Sequence, residues 1–500
     1  MRKTFTLFAM AISLTTMARD FVFNDITYTV ISENQKTVRT KEGVGITPGN
    51  NVTGTLTIPS TVNDGTNEYT VTEIGKFSFL QTKISGELVL PNTITNIGYS
   101  AFSGCSGLSG SLVIPNSVIT IGDYAFNDCT GLDGTLSLSE SLSEIGRSAF
   151  YRCRGLTGDL IIPNSVNIIG EYAFAGCRGL NGTLKISGSI SVIPMSAFEK
   201  CVGLTGELKI PESVKSINSY AFTDCSGFTG TLIIPDNVEN LGFCAFSGCS
   251  GFDEDLILSN SLTSIDYGTF YNCSNLKSIR FPKMLKKIIG YENSPGAFKN
   301  CSNLSGTLVI PDGVEMIGYY AFDGCVNIEN IVIGHSVLSI AVQAFQNIGN
   351  LNSLFLSESV QNIGGGAFNA TDIKEIIIEA KTPPVVANSF AFSEKTYKDA
   401  TITVPEESLE LYRTAEVWKE FAHYKKSGID NILNESAIMI SIHSDGLTIH
   451  NAEGNIVNIY NLDGRMIDSF APKSYNEKRI IPSGFYIVKA GTKVCKVIIK

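Results

Sequence analysis

Ile114-Pro115-Asn116-Ser117-Val118-Ile119-Thr120-Ile121-Gly122-Asp123-Tyr124-Ala125-Phe126-Asn127-Asp128-Cys129 is a pattern that returns, with variations, along most of the chain. Cysteine marks the phase: Cys105, Cys129, Cys153, Cys177, Cys201, Cys225, Cys249 and Cys273 recur every 24 residues, Cys301 follows after 28 and Cys325 after 24. Three residues upstream runs Phe102, Phe126, Phe150, Phe174, Phe198, Phe222, Phe246, Phe270, Phe298 and Phe322, and Phe345 and Phe368 continue the series. A fixed period of this length is the signature of a solenoid, in which no unit buries its apolar side chains alone and stacking creates the core.

Within one unit, Ser111-Leu112-Val113-Ile114 reads as a short strand with Leu112 and Ile114 inward and Val113 outward. Pro115 ends the pairing because it has no N–H to donate. Val118 and Ile121 return inward as a 3₁₀ or loose turn, and Gly122 is read as permitting a bend. Asp123-Tyr124-Ala125-Phe126 is predicted to form one short helical turn that sends Ala125, Phe126 and Cys129 into the core.

The pattern resembles the BspA-like branch of the leucine-rich repeats, whose units run roughly L-x-x-L-x-L-P-x-S-L-x-x-I-G-x-x-A-F-x-x-C. Leu276-Lys277-Ser278-Ile279-Arg280-Phe281-Pro282 has that spacing, whereas most units carry one extra residue, as in Leu108-Ser109-Gly110-Ser111-Leu112. The pattern departs between Gly290 and Gly296, where residues are inserted, and near Phe368, where Thr371 stands in the cysteine's place and reads as decay at the end of the array. The expected fold is a leucine-rich-repeat solenoid of 23–24-residue period, with short parallel strands and helical turns. An all-β, sandwich-like domain should follow it.

The expected divisions are a signal peptide at 1–18, an N-terminal cap at 19–70, the array at 71–395, a C-terminal cap strand and helix at 396–427, a linker at 428–435 and the β-domain at 436–500. The start, Met1-Arg2-Lys3 followed by an apolar run and Thr16-Met17-Ala18, describes a secretory signal. No other apolar stretch approaches the ~20 residues that cross a bilayer. In the cap at 396–427, Glu406-Glu407 should begin a helix through Leu409, Tyr412 and Ala415, ending around Trp418 and Phe421. In the final segment, Ile459-Tyr460-Asn461-Leu462-Asp463-Gly464-Arg465, Gly484-Phe485-Tyr486-Ile487-Val488-Lys489 and the ending Lys493–Lys500 resemble the C-terminal sorting domain of type IX secretion cargo. That resemblance implies contact with the secretion machinery, export, and a place outside the cell or on its outer surface.

Twelve cysteines in an exported chain would first suggest disulfides. Ten of them share one inward phase, however, where cysteine behaves as a small hydrophobe, so free buried thiols are expected. Cys244 and Cys495 fall outside that phase and are the expected reactive thiols. There is no CxxC pair or Cys/His cluster for a metal, and no cofactor motif.

Stacked strands should form one parallel sheet of fourteen strands, roughly 65 Å long. Its outward row would be Thr57, Val89, Val113, Ser137, Ile161, Lys185, Lys209, Ile233, Ile257, Arg280, Val309, Val332, Phe355 and Ile377. Ile161, Lys185, Lys209, Ile233, Ile257, Arg280 and Phe355 are the candidate ligand-binding residues, because contiguous exposed apolar patches mark interfaces. Val and Ile also sit in strands for propensity alone.

A net charge of −10 repels phosphate backbones and makes nucleic acid a poor partner. The four histidines, His335, His423, His443 and His450, form no catalytic constellation in the sequence; His335 reads as a solvated turn residue. The expected role is non-catalytic recognition at a bacterial surface, and the resemblance to the BspA-like repeats implies adhesion to protein ligands such as host matrix components or other bacterial surface proteins. A glycan-binding or polysaccharide-processing protein is the first alternative, and a structural surface-layer component the second. Aromatic rows would favour sugars, and only Phe355 stands on the proposed face.

Overall fold

The structure is a computed structural model that describes residues 19–43, 45–46 and 52–427, together with seven strands between Met439 and Ile499. The predicted signal peptide and linker lie outside the described residues. The chain divides into two compact units, Met1–Ile190 with Lys200–Gly203, and Ser191–Glu199 with Leu204–Lys500.

Each repeat is built on hydrogen bonds to its neighbours along three sides. The first side is the predicted strand. In the first unit Leu112–Val113 pairs in parallel with Leu136–Ser137, and Leu160–Ile161 with Leu184–Lys185. The second side was not foreseen: Ile121 lies in a second two-residue strand, not a loose turn. Glu68–Ile74, Asn96–Ile97, Thr120–Ile121, Glu144–Ile145 and Ile168–Ile169 form a continuous parallel ladder with Ile74, Ile97, Ile121, Ile145 and Ile169 in register. An antiparallel meander of Asp20–Phe23, Ile26–Ser32 and Thr37–Thr40 joins this ladder through Thr37–Thr40.

The third side replaces the predicted helical turn. Tyr124, Phe126 and Asp128 donate their N–H groups to the carbonyls of Arg147, Ala149 and Tyr151 in the next repeat, each at 2.8 Å. The alternate residues Ala125, Asn127 and Cys129 bond within their own repeat to Gly122, Tyr124 and Phe126. This alternation needs a left-handed residue at Tyr124 (φ 57°) and Asp128 (φ 54°), and the pair recurs as Ser148 and Arg152, Tyr220 and Asp224, Gln343 and Asn347. An α-turn would aim all its N–H groups along its own axis; here half of them tie successive repeats together.

The glycine after the second strand serves close approach, not a bend. A Cβ on Gly146 would lie 2.5 Å from Asp123 N and Gly122 C, the backbone of the preceding repeat. By contrast, Gly110, Gly158, Gly206, Gly230 and Gly306, in five of the longer repeats, have positive φ and do need glycine's freedom.

In the second unit the same sides recur. Ser264–Ile265, Lys287–Ile288, Met316–Ile317, Ser339–Ile340, Asn362–Ile363 and Val385–Val386 form one parallel ladder. Opposite it, Gly306–Val309, Ile328–Val332, Gly349–Leu356, Thr371–Ile378, Thr401–Pro405 and His423–Ser427 make a six-stranded sheet. Its strands reach eight residues where the spacing is shorter, as in Leu351 to Leu354 and Ile373 to Ile376. The predicted helix from Glu406 is broken into Glu406–Ser408, Leu409–Thr414 and Trp418–Glu420, because Val417 at φ 67° turns the chain between the last two. A helix at Glu394–Asp399, capped by the Ser393 hydroxyl, and the strand His423–Ser427 were not predicted. The C-terminal segment is antiparallel: Met439–His443, Gly446–His450 and Asn476–Ile480 form one sheet, and Met466–Phe470, Val457–Asn461, Gly484–Ala490 and Lys493–Ile499 another.

The interior is one column per position. Leu112, Ile114, Val118, Ile121, Ala125, Phe126, Cys129 and Leu132 are each at most 2% exposed. Successive Phe rings stack almost parallel: Phe102 on Phe126 at 5.2 Å and 7° in the first unit, Phe298 on Phe322 at 5.1 Å and 6° in the second. The column ends at Phe392, which meets Trp418 and Phe421 at steep angles.

The ladder cysteines are free and buried. Each also makes one bond: Cys129 Sγ donates to Phe102 O at 3.1 Å, Cys249 Sγ to Phe222 O at 3.0 Å and Cys301 Sγ to Phe270 O at 3.1 Å. Thr371 is therefore no decay of the pattern, since its hydroxyl donates to Phe345 O at 2.9 Å in the same way. Cys244, expected to be reactive, is buried, and burial followed by the charge of Asp266 pushes its thiol up to about 11. Of Cys495 only the backbone strand is described.

Burial pushes the thiols of Cys105, Cys153 and Cys273 up to about 12, and those of Cys129, Cys177, Cys249 and Cys301 well above the ordinary value. In the unfolded chain they ionise near pH 8.5–9 (about 8.5 in model peptides), so above that pH the unfolded state binds fewer protons than the native state. Stability is then full below about pH 8.5 and falls as pH rises toward 12, by up to about 1.4 kcal/mol per pH unit for each thiol. Denaturant unfolding under reductant at pH 8 and pH 10 should show this loss, with Cys249→Ser losing less between the two. Ala370, exposed and left-handed at φ 51°, gives a second test: Ala370→Gly should raise stability by roughly 0.5–1 kcal/mol in the same assay.

Candidate binding face

Alternation along the first strand sends one side chain into the core and the next to solvent. In the first unit Leu112 and Leu160 are buried, while Val113 is 56% and Ile161 49% exposed. Ile161 stands in register with the exposed Lys185.

In the second unit Ile233, Ile257 and Arg280 are in register on three adjacent strands; Ile233 and Arg280 are exposed and Ile257 is half-buried. Lys209 is exposed but lies outside the strands, with its Nζ 3.6 Å from a carboxylate oxygen of Glu207. Val309, Val332, Phe355 and Ile377 form a second in-register row on the six-stranded sheet, each half-buried. The outward residues are therefore not the single fourteen-strand row expected. They fall into short ladders through most repeats that carry the extra residue, and one wide sheet where the shorter spacing predominates.

Polar side chains border the apolar row. Asn330 Nδ2 donates to Thr307 Oγ1 at 3.3 Å and Ser353 Oγ to Asn330 Oδ1 at 2.9 Å on one side. On the other, His335 is held in place: Nδ1 is 3.0 Å from Asp312 Oδ1, Nε2 is 3.2 Å from Glu379 Oε2, and its ring lies 6.4 Å from that of Phe355. His335 is thus a part-buried bridge across repeats, not a solvated turn residue. Asp312 Oδ1 also accepts from the His335 N–H, as Asn116, Asn164 and Asp236 accept from Glu140, Gly188 and Asn260.

The carboxylates along the face are engaged structurally. Asp159 accepts from the N–H and hydroxyl of Thr183 at 2.6 and 2.9 Å, which hold its carboxyl below the usual range, and Asp255 accepts from the Ser278 hydroxyl at 2.6 Å. Among the described residues no group of three or more His, Cys, Asp or Glu is placed to hold a metal, and no helix is long and apolar enough to cross a membrane.

One surface feature escaped the sequence reading. Aromatic residues just after the second strand line the turn side, with Phe77, Tyr99 and Tyr124 edge to face in the first unit and Phe243 stacked on Tyr267 at 4.8 Å in the second. The signal was present as a recurring Tyr or Phe after Ile-Gly, but a helical turn there gave no reason to align them.

If the outward positions are a surface rather than core, Ile161→Ser should change stability by no more than about 0.5 kcal/mol, while Leu160→Ser beside it should cost several kcal/mol. Thermal unfolding of the two variants checks this.

The sequence matches the family described as BspA type Leucine rich repeat region over residues 72–205, 191–292 and 292–397, in 6 copies. A leucine-rich repeat protein from Bacteroides ovatus shares 27% identity and a TM-score of 0.64, over 82% of this chain and 100% of its own. A leucine rich cell surface protein from Faecalibacterium prausnitzii is 22% identical with a TM-score of 0.43, over 83% of this chain and 96% of its own. No curated protein matches the sequence. With a parallel-strand solenoid on the page and the family pattern covering more than half of the sequence, the chain belongs to the BspA-type leucine-rich repeat proteins.

Proposed function

We propose that this protein is exported and serves at a bacterial surface as a non-catalytic scaffold that binds other proteins through the outward row of the first-strand ladders. The observation that carries the reading is the exposure of Val113, Ile161 and Ile233 beside leucines that are wholly buried. Beta-branched side chains held on a fixed backbone offer apolar contact at little entropic cost, and the cations at Lys185 and Arg280 add directional contacts around them. The half-buried row through Phe355, bordered by hydroxyls, amides and the His335 bridge, is the second unit's part of the same surface type.

The reading keeps the divisions drawn from the sequence: a signal at 1–18, closing segments at 19–70 and 396–427 around the array at 71–395, a linker at 428–435, and a sorting domain at 436–500 that contacts the secretion machinery. The antiparallel strands between Met439 and Ile499 are compatible with that last assignment.

Adhesion of intact cells to immobilised host matrix proteins and to neighbouring bacteria tests the proposal. Lys185→Glu in the first unit, and Lys209→Glu with Arg280→Glu in the second, should each lower adhesion severalfold. Adhesion of both variants at the parental level to every ligand would remove this face from consideration. Deleting residues 436–500 should retain the protein in the periplasm, and continued surface display would exclude the sorting role.

A further inference from the structure

The strongest unassigned feature is electrostatic. Between Lys83 and Lys185 the only cationic side chains are Arg147, Arg152, Arg154 and Arg178, all arginine, within a protein of net charge −10. The repeat places them together on the turn side of the first unit. Arg154 and Arg178 each follow the ladder cysteine, in successive repeats whose backbones are hydrogen-bonded. Arg152 occupies the left-handed position two residues after Phe150, and its stem lies against Gly176 of the next repeat.

Two of the guanidinium groups are held by aromatic rings. Arg152 stands 4.9 Å from the centre of the Tyr151 ring and Arg147 6.0 Å from that of Tyr172, and the two rings meet edge to face at 6.4 Å. Arg147 also lies 3.7 Å from Glu171 and is partly neutralised. Arg152, Arg154 and Arg178 are exposed, and no carboxylate among the described residues reaches ion-pairing distance of them. Exposed guanidinium groups gathered without carboxylate partners make a local positive field and offer paired donors to an anion.

We propose that Arg152, Arg154 and Arg178, with Arg147 at the edge, form a binding site for a linear sulfated polysaccharide. Guanidinium presents paired donors that match the oxygens of a sulfate, and the rings of Tyr151 and Tyr172 supply apolar surface beside them for a sugar. The cluster is short and preceded along the chain by the acids Asp123 and Asp128 of the preceding repeat and Glu140 and Glu144 of its own first repeat. A short cluster suits a chain whose charged groups are spaced apart, and it disfavours a duplex carrying one charge per ~1.7 Å. At physiological ionic strength the screening length is about 8 Å, so the cluster acts locally in spite of the chain's net negative charge. This site is separate from the outward face of the first strands and does not depend on it.

Heparin binding to the full chain, measured by surface plasmon resonance at several salt concentrations, tests the proposal. Binding should weaken on the order of tenfold between 50 and 200 mM NaCl, as expected for a few released counterions. The triple variant Arg152→Gln, Arg154→Gln, Arg178→Gln should lose at least tenfold in affinity and most of the salt dependence. The corresponding triple change to lysine should lie between the two, because it keeps the charge and loses the paired donors. Lys185→Glu, on the other face, should bind heparin as the parent does. Unchanged heparin binding by the glutamine variant, with its fold confirmed by circular dichroism, would overturn the site. Equal or tighter binding of poly-glutamate or of the sulfate-free polygalacturonate would overturn the assignment to a sulfated glycan.

Discussion

The carbonyl of each ladder phenylalanine is the point on which the repeat turns. In the cysteine-bearing repeats, as at Phe102, it accepts the N–H of the cysteine three residues later and the thiol of the cysteine in the following repeat. One oxygen thereby closes the turn of its own repeat and grips the next. The interior at that depth is sealed from water, so an unsatisfied carbonyl or an ionised thiol would be costly there. Cysteine fits because it is small enough to sit beside a stacked ring and still carries a donor. Thr371 keeps the same bond with a hydroxyl, to Phe345 O, whereas Ile348 fills the position after Cys325 with volume alone. Such a scheme leaves no repeat stable by itself, because its bonds and its apolar contacts are made to chain 23 to 28 residues away.

A single residue of spacing governs what the protein offers to partners. Across the four residues from Leu108 to Leu112 the chain passes through the left-handed Gly110, and the strand is two residues long. Across the three from Leu351 to Leu354 it passes through no glycine, and the strand reaches eight. Short strands present isolated exposed side chains such as Ile161. Long ones present a broad, half-buried row through Phe355 with a polar border. The two halves of the array thus differ in the kind of surface available, although their interiors are the same.

Charge is distributed with equal economy. Acids at the strand ends, including Asp159, Asp236 and Asp312, are used as acceptors for backbone N–H groups of the next repeat, which explains why a strongly acidic chain shows little acidic chemistry. The arginines of residues 147–178 are the exception, because three of them find no such partner. Their neighbours Tyr151 and Tyr172 orient them without neutralising them.

The period, the inward columns of Phe126 and Cys129 and the outward place of Val113 and Ile161 were legible in the sequence, because they depend on side-chain pattern alone. A helical turn at Asp123–Phe126 and a bend at Gly122 were misread for one reason. Local sequence shows which residues avoid water but not which distant carbonyl an N–H will find. The left-handed residues carried a hint, in the Asn, Asp or Gly at positions such as Asp128, Asn272 and Gly324, yet Arg152 and Ala370 share the conformation without sharing the preference. Only stacking decides such positions, since the bonds that compensate the strained backbone come from the neighbouring repeat. The same stacking brings Asp312, His335 and Glu379 to one edge and four arginines to one flank, though no motif joins them along the chain. The amino-acid order by itself determined the repeat and its core; the tertiary structure decided which polar groups meet, because every one of those meetings crosses from one turn of the solenoid to another.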